Sequence, residues 1–129
     1  MSTPKSAKAD TSTVIHQSDA VIAPQSVSEE DKAIITQWIT DNNISEIECI
    51  VPDTTGNARG KFIPAHQFIA QLEQRLPEAI LVQTVTGEYT DEHWDFVEPT
   101  DTDMVLSPDA STLRVVPWAR EPTAQIIAD

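Results

Sequence analysis

Apolar positions keep no sustained period over residues 1–27, where Ser, Thr, Ala, Asp and Pro dominate and Val14-Ile15 and Val21-Ile22 stand as isolated pairs. Such a segment buries too little surface to offset the entropy of ordering it, so residues 1–27 are expected to form a disordered leader. Order is expected from Ser28. Ser28-Glu29-Glu30-Asp31 matches a helix capping box, with the serine oxygen and the acid three residues later satisfying orphan N–H groups. Ala33, Ile34, Trp38 and Ile39 then fall on one helical face, and this helix should end near Asn42-Asn43.

From Ile44 to Val51 the period changes to two. Ile47, Cys49 and Val51 alternate with Glu46, Glu48 and Ile50, the mark of a half-buried strand. Pro52 to Asn57 is turn chemistry, and Ala58 to Ile63 is the returning strand of a hairpin. Pro64 suits the first turn of a second helix, where its missing N–H costs nothing. Phe68, Ile69, Leu72 and Leu76 supply that helix with an apolar stripe, and Pro77 stops it.

Ile80 to Val85 predicts the next strand. A polar stretch from Thr86 to Asp101 follows, carrying Gly87, Tyr89, His93, Trp94 and Phe96. It is long for a loop in a compact domain, and long loops are more often functional than short ones. Met104 to Leu106 predicts a short strand, Pro108-Asp109-Ala110 a turn, and Leu113 to Val116 another strand. Thr123 to Ala128 makes the last one, with either Ile126 or Gln125 facing inward. Helix, hairpin, helix and three strands amount to an α+β fold, with a mixed or antiparallel sheet and one or two helices packed on it. The last strand ends at Asp129 without a cap, and a piece of a longer polypeptide is the expectation.

A length of 129 residues suits one ordinary domain. The 21 acidic side chains outnumber the 8 basic ones, giving a formal charge of −13 with no basic cluster. Nucleic-acid binding rests on Lys and Arg contacts to phosphates, so it is not expected. No run approaches the roughly 18 apolar residues of a membrane span, and no apolar run follows the N-terminal lysines as in a secretory signal. A cytoplasmic protein with no membrane partner is therefore expected. The single cysteine, Cys49, rules out an internal disulfide and a cysteine-based zinc site. Its place in an apolar alternation marks a small core residue rather than a nucleophile.

The inventory of chemical motifs is sparse. Gly56, Gly60 and Gly87 are too scattered for a phosphate-cradling loop. His16, His66 and His93 lack the spacing of a histidine metal site, and no metal site is expected. Asp91-Glu92-His93 and Asp101-Thr102-Asp103 gather carboxylates that suit Mg²⁺ or a cationic ligand, although a solvated acidic loop is the simpler reading. Arg59-Gly60-Lys61 reads as hairpin surface before it reads as an anion site. Trp94 and Phe96 either tuck under their loop or face a partner.

Two longer stretches carry more. Asp53-Thr54-Thr55-Gly56-Asn57-Ala58-Arg59-Gly60-Lys61-Phe62-Ile63-Pro64 resembles the D-x-x-G-x-x-R-G-K-x-[IV]-P hairpin near the start of glutamine-synthetase-like proteins. Thr102-Asp103-Met104-Val105-Leu106-Ser107-Pro108-Asp109, then Thr112-Leu113-Arg114 and Pro117-Trp118, resembles the family's S-D-M-x-L-x-P-D segment and T-x-R-x-x-P-W pattern. The resemblance runs from about Glu30 to Asp129. The T-L-R-x-x-P-W form is closer to the branch that joins glutamate to amines, such as γ-glutamylputrescine synthetase, than to the ammonia-using enzyme.

This resemblance implies an N-terminal β-grasp domain over residues 28–129, and an ATP- and Mg²⁺-dependent glutamate–ammonia or glutamate–amine ligase when the protein is whole. It implies roles in nitrogen metabolism, either glutamine biosynthesis or polyamine catabolism. The nucleotide, metal and glutamate sites belong to the family's C-terminal domain, so this segment alone is expected to bind no cofactor and to be inactive. It also implies a homo-oligomeric ring in which the N-terminal domain lends a loop to the neighbouring subunit's active site. The equivalent loop here is Thr86 to Glu98. The family's D-G-S-S is replaced by Thr86-Gly87-Glu88-Tyr89-Thr90-Asp91-Glu92, which fits an amine other than ammonia. Glu88, Asp91 or Glu92 would pair with the substrate ammonium, and Trp94 and Phe96 would face the next subunit. Two rival readings are a free-standing β-grasp interaction module and a regulatory decoy that enters ligase rings.

Overall fold

The computed structural model describes residues 26–95 and 102–129. The expected leader lies outside the described residues as far as residue 25, and so does Phe96.

Helix α1, Glu29–Asp41, opens as a capped helix should. Ser28 Oγ accepts from the Asp31 backbone N–H at 3.0 Å and donates to Asp31 Oδ2 at 2.7 Å. Three acids in its first turn complement the positive end of the helix dipole. Its end is a left-handed cap: Asn43 has φ 51°, Asn43 N–H donates to Thr40 O (3.1 Å) and Ile44 N–H to Ile39 O (3.0 Å).

The inward stripe differs from the expected one. Ile35 (0% exposed) and Ile39 are buried and Trp38 is half-buried, while Ala33 and Ile34 face out, Ile34 being 47% exposed. Adjacent isoleucines at 34 and 35 leave the rotation of the helix open by about 100°. The cap that seats Ile39 beside Ile44 settles it in favour of the i, i+4 pair Ile35 and Ile39.

Strands β1, Glu46–Pro52, and β2, Ala58–Pro64, form the expected antiparallel hairpin, with Glu48 opposite Phe62 and Cys49 opposite Lys61. Ile47, Cys49 and Val51 are buried, as the alternation predicts. The Cys49 thiol lies in the core, where burial pushes it up to about 11 against a smaller opposing pull from Lys61. That is the setting of an inert core thiol.

Pro64 ends β2 and caps helix α2, Ala65–Ala70, instead of standing inside its first turn. Helix α2 is also shorter than expected. It stops before Leu72, and Leu76 belongs to strand β3, Gln74–Pro77. The cause is a distant partner: β3 pairs antiparallel with β4, Asp103–Leu106, placing Leu76 opposite Met104. The strand expected over residues 80–85 is absent. Glu78–Val82 forms a 3₁₀ turn that buries Ala79, and residues 83–85 lie outside any strand.

Strands β5, Arg114–Val115, and β6, Thr123–Ile127, complete a four-stranded sheet of order β2-β1-β6-β5. Strand β6 runs parallel to β1 at the centre, and the other pairings are antiparallel, so the sheet is mixed. Ile126 faces inward at 0% exposure and Gln125 faces the other side. Ile35, Ile39, Ile47, Cys49, Phe68, Ala124 and Ile126 belong to one buried cluster that joins both helices to one face of the sheet. The architecture is α+β, as the element order predicts, and β-grasp-like, as the resemblance implies.

Candidate functional site

The hairpin turn and the segment that follows the 3₁₀ turn meet at one end of the four-stranded sheet. Gly56, with φ 85°, turns the chain between β1 and β2. Asp53 folds back into the turn and is almost fully buried. Its Oδ1 accepts from the Thr55 N–H (2.9 Å), the Thr55 hydroxyl (2.8 Å) and the Asn57 N–H (2.8 Å). Its Oδ2 accepts from Arg59 Nε at 3.0 Å, and this is the one ion pair among the described residues.

Arg59 also reaches out of the turn. Its Nη2 donates to the Thr84 carbonyl oxygen at 2.7 Å. Thr54 adds two more bonds across the same gap, from its N–H (3.1 Å) and its hydroxyl (2.9 Å) to Leu81 O. The turn therefore holds residues 81–84, the base of the candidate substrate loop, by three hydrogen bonds.

The loop base is itself closed. Thr84 N–H donates to Glu88 O (2.8 Å), Gly87 N–H to Thr84 O (2.9 Å), and Glu88 N–H to the Thr84 hydroxyl (3.0 Å). Gly87 has φ 84°, a left-handed conformation that glycine adopts without strain. Glu88 sits on this tight turn with its carboxylate accepting weakly from Thr86 (3.4 Å), and Tyr89 is 48% exposed. Asp91 and Glu92 are exposed at the start of the 3₁₀ turn Asp91–Asp95, which also contains Trp94 in its backbone path. Phe96 lies outside the described residues.

Burial opposes the charge on Asp53. The bonds from Asn57, the Thr55 hydroxyl, Arg59 and the Thr55 N–H outweigh it, and together they hold the carboxyl well below the ordinary carboxylate range. A carboxylate depressed on folding contributes stability that is fully present above its unfolded value of about 3.9 and is lost as pH falls through the folded one. Urea unfolding should therefore show stability falling steeply below about pH 4. An Asp53→Asn variant should start from a lower plateau and lose less over the same acid range. An unchanged acid slope in the variant would mean that other carboxylates govern the transition.

The other residues of the two motifs are distributed around the fold. Gly60 packs against the backbone of β1, and Lys61 Nζ donates to the Arg75 carbonyl at 3.1 Å, tying β2 to β3. Asp103 opens β4 opposite Pro77. Pro108 is buried and bridges to Ala128, while Asp109 caps the turn Ala110–Thr112 through the Ser111 hydroxyl and N–H (2.7 and 2.9 Å). Those bonds hold the Asp109 carboxyl below its ordinary range. Arg114 Nε donates to Gln125 Oε1 at 2.8 Å. Pro117 and Trp118 are exposed at the far end of the sheet, Trp118 by 79%. Pro64 and Trp118 are thus far from the Asp53 turn. Asp53 and Arg59 are the motif residues brought to the loop base.

Sequence reasoning missed Thr54, Leu81 and Thr84. They act mainly through a hydroxyl or a carbonyl toward a segment about 25 residues away, and no local pattern signals that. Among the described residues no three His, Cys, Asp or Glu side chains converge on a possible metal position. None of the described helices is long and apolar enough to cross a membrane. Among the described residues the carboxylates do not gather into a set that would hold Mg²⁺.

The fold and this anchored turn define a β-grasp-like α+β domain with a tethered surface loop. No family model matches the chain. Human lengsin is 30% identical over 119 residues, covering 89% of this chain and 23% of lengsin. Canine lengsin is 33% identical over 99 residues, covering 74% of this chain and 17% of that protein. Among solved structures, a complex of GmaS with ADP matches in fold with a TM-score of 0.50 and 21% identity, over 74% of this chain and 20% of GmaS. The chain thus spans about a quarter or less of the length of each of these relatives. The lengsin matches support a glutamine synthetase family relationship, in which the chain corresponds to a limited part of such proteins.

Proposed function

We propose that residues 28–129 are the N-terminal β-grasp domain of a cytoplasmic, ATP- and Mg²⁺-dependent glutamate–amine ligase, and that the loop from Thr86 to Glu98 enters the active site of a neighbouring subunit in a homo-oligomeric ring. The observation that carries this reading is the anchored loop base. Arg59, held by Asp53, supplies one hydrogen bond to residues 81–84 and Thr54, between them in the same turn, supplies two, so the turn that resembles the family also fixes the base of the segment expected to meet substrate. A loop that must present one carboxylate to a small cation gains from such fixing, because misplacement by about 1 Å is costly to rate.

In this reading Glu88, on the closed turn, is the primary partner of the substrate ammonium, with Asp91 and Glu92 supplying field around it. An exposed carboxylate stabilises a cation modestly until the neighbouring subunit excludes water from it. Arg59 is a positioning residue. It touches no substrate and acts through Thr84.

The test assays ATP- and glutamate-dependent γ-glutamyl transfer to ammonia, methylamine and putrescine. Both the 129-residue chain and any longer native polypeptide that contains it are measured. The chain alone should be inactive and the longer protein active, with an amine preferred to ammonia. Turnover by the chain alone, or a longer protein that is inactive with all three acceptors, would overturn the proposal.

A second experiment reads the tether directly. In an Arg59→Ala variant, amide hydrogen exchange at Gly87 and Glu88 should accelerate by about tenfold or more, the scale of losing a charged hydrogen bond. Exchange in β1 and β6 should change far less. Equal acceleration in all elements would mean that Arg59 serves global stability instead.

A further inference from the structure

We propose that the sheet face turned away from the helices docks a polypeptide partner that presents a lysine or arginine flanked by apolar side chains. Side chains alternate across a strand, so burial of Ile47, Cys49, Ile63 and Ile126 on the inner face sends their neighbours outward. The pairing register aligns those neighbours into one row across all four strands: Phe62, Glu48, Gln125 and Arg114. Gln125 links the row, accepting from Arg114 at 2.8 Å and donating to Glu48 at 2.7 Å.

At one end of the row Phe62 and Trp118, 61% and 79% exposed, line a groove of about 290 Å³ together with Glu46, Glu48 and Glu121. Two large aromatics left this open on one face are unusual for a surface that meets only water, and aromatic residues are enriched at the centres of protein interfaces.

Charge narrows the occupant. Three carboxylates line the groove against one cation, Arg120, and among the described residues no cation forms an ion pair with any of the three. A second copy of a chain with formal charge −13 would bring like charges together there. A nucleic acid or an anionic lipid surface would meet the same repulsion. A cationic side chain passing over the indole or phenyl face gains both the carboxylate field and a cation–π contact, and its apolar neighbours cover the rings.

This inference goes beyond the ligase reading and stands independently of it. The groove lies where β1 begins and β2 ends, around the Glu46–Pro64 pair, whereas the tethered loop meets the opposite end of the hairpin, beyond the Pro52–Ala58 pair. Six residues of strand separate them, roughly 20 Å.

The experiment uses the whole ¹⁵N-labelled chain and two blocked synthetic peptides, Gly-Leu-Arg-Leu-Lys-Gly and Gly-Leu-Glu-Leu-Glu-Gly. Amide shifts are followed on titration at low and at high salt. The basic peptide should give saturable shifts centred on Phe62, Glu48 and residues 116–121, weakened by salt, and the acidic peptide none. A Phe62→Ser, Trp118→Ser variant, whose remaining spectrum reports an intact fold, should bind at least about tenfold more weakly, the scale of losing an aromatic anchor. A Glu46→Gln, Glu48→Gln, Glu121→Gln variant should lose the salt dependence. The inference is overturned by any of four results: no saturable response, equal shifts with the acidic peptide, shifts centred elsewhere, or the same shifts produced by concentrating the chain alone.

Discussion

Replacing Phe68 by alanine is expected to destabilise the protein by about 3–5 kcal/mol, the range for removing a fully buried phenyl group from a packed core. Phe68 is 0% exposed and is the largest fully buried side chain of the described residues. It projects from the six-residue helix α2, which has neither a side-chain cap nor charged residues that favour its dipole. A helix this short is not stable by itself, so its place depends on the side chains it buries. Removing the ring leaves a cavity and also releases α2 from the cluster that contains Ile35, Ile39 and Ile47. Total stabilities of small domains are about 5–15 kcal/mol, so this single change should consume a large share. Urea unfolding followed by circular dichroism measures it, with Phe62→Ala as the control. Phe62 is 61% exposed, and its truncation should stay within about 0.5 kcal/mol. Similar losses for the two would contradict the assignment of Phe68 to the core.

The second large effect belongs to Gly60. A Cβ there would press on the Cys49 carbonyl oxygen and stand 2.9 Å from both the Cys49 carbonyl carbon and Ile50 Cα. All three are backbone atoms of the central strand, which is paired on both sides and cannot retreat. Gly60→Ala should therefore cost at the upper end of overpacking, about 3 kcal/mol or more, and thermal melting with far-ultraviolet circular dichroism measures the loss.

Gly56→Ala provides the contrast. Gly56 has φ 85° with open space around the added carbon, so its penalty is conformational, about 1–2 kcal/mol. If the two variants melted alike, close backbone approach would not be the reason for glycine at position 60.

These two residues also show how differently the sequence speaks. Gly56 is legible as a turn residue because Pro52 to Asn57 is locally rich in turn formers. Gly60 has no local signal of its crowding, which exists only once β1 lies beside β2. The candidate site divides in the same way. Asp53 and Arg59 stand out through a resemblance between sequences, and the exposed acids of the 86–92 loop through their composition. Their connection through Thr84, Thr54 and Leu81 spans about 25 residues, and only folding brings these groups within hydrogen-bonding distance.

By itself the sequence determined the elements whose causes are local. The capping box set the start of α1, Asn42-Asn43 set its end, and the period-two alternation set β1 and the buried positions Ile47, Cys49 and Val51. The turn residues set the hairpin and the element order set an α+β fold. In each case the deciding interactions lie within a few residues of one another. Tertiary structure decided the rest. It chose Ile35 over Ile34 because the cap and the packed core fix the rotation of α1. It moved Leu76 from a helix to a strand because β4, some thirty residues later, supplies its hydrogen-bond partners. It left residues 80–82 in a 3₁₀ turn, from which Ile80 and Leu81 pack against the core without a neighbouring strand to pair with. Burial and pairing are properties of two segments at once, and a pattern read along one segment specifies only its own half.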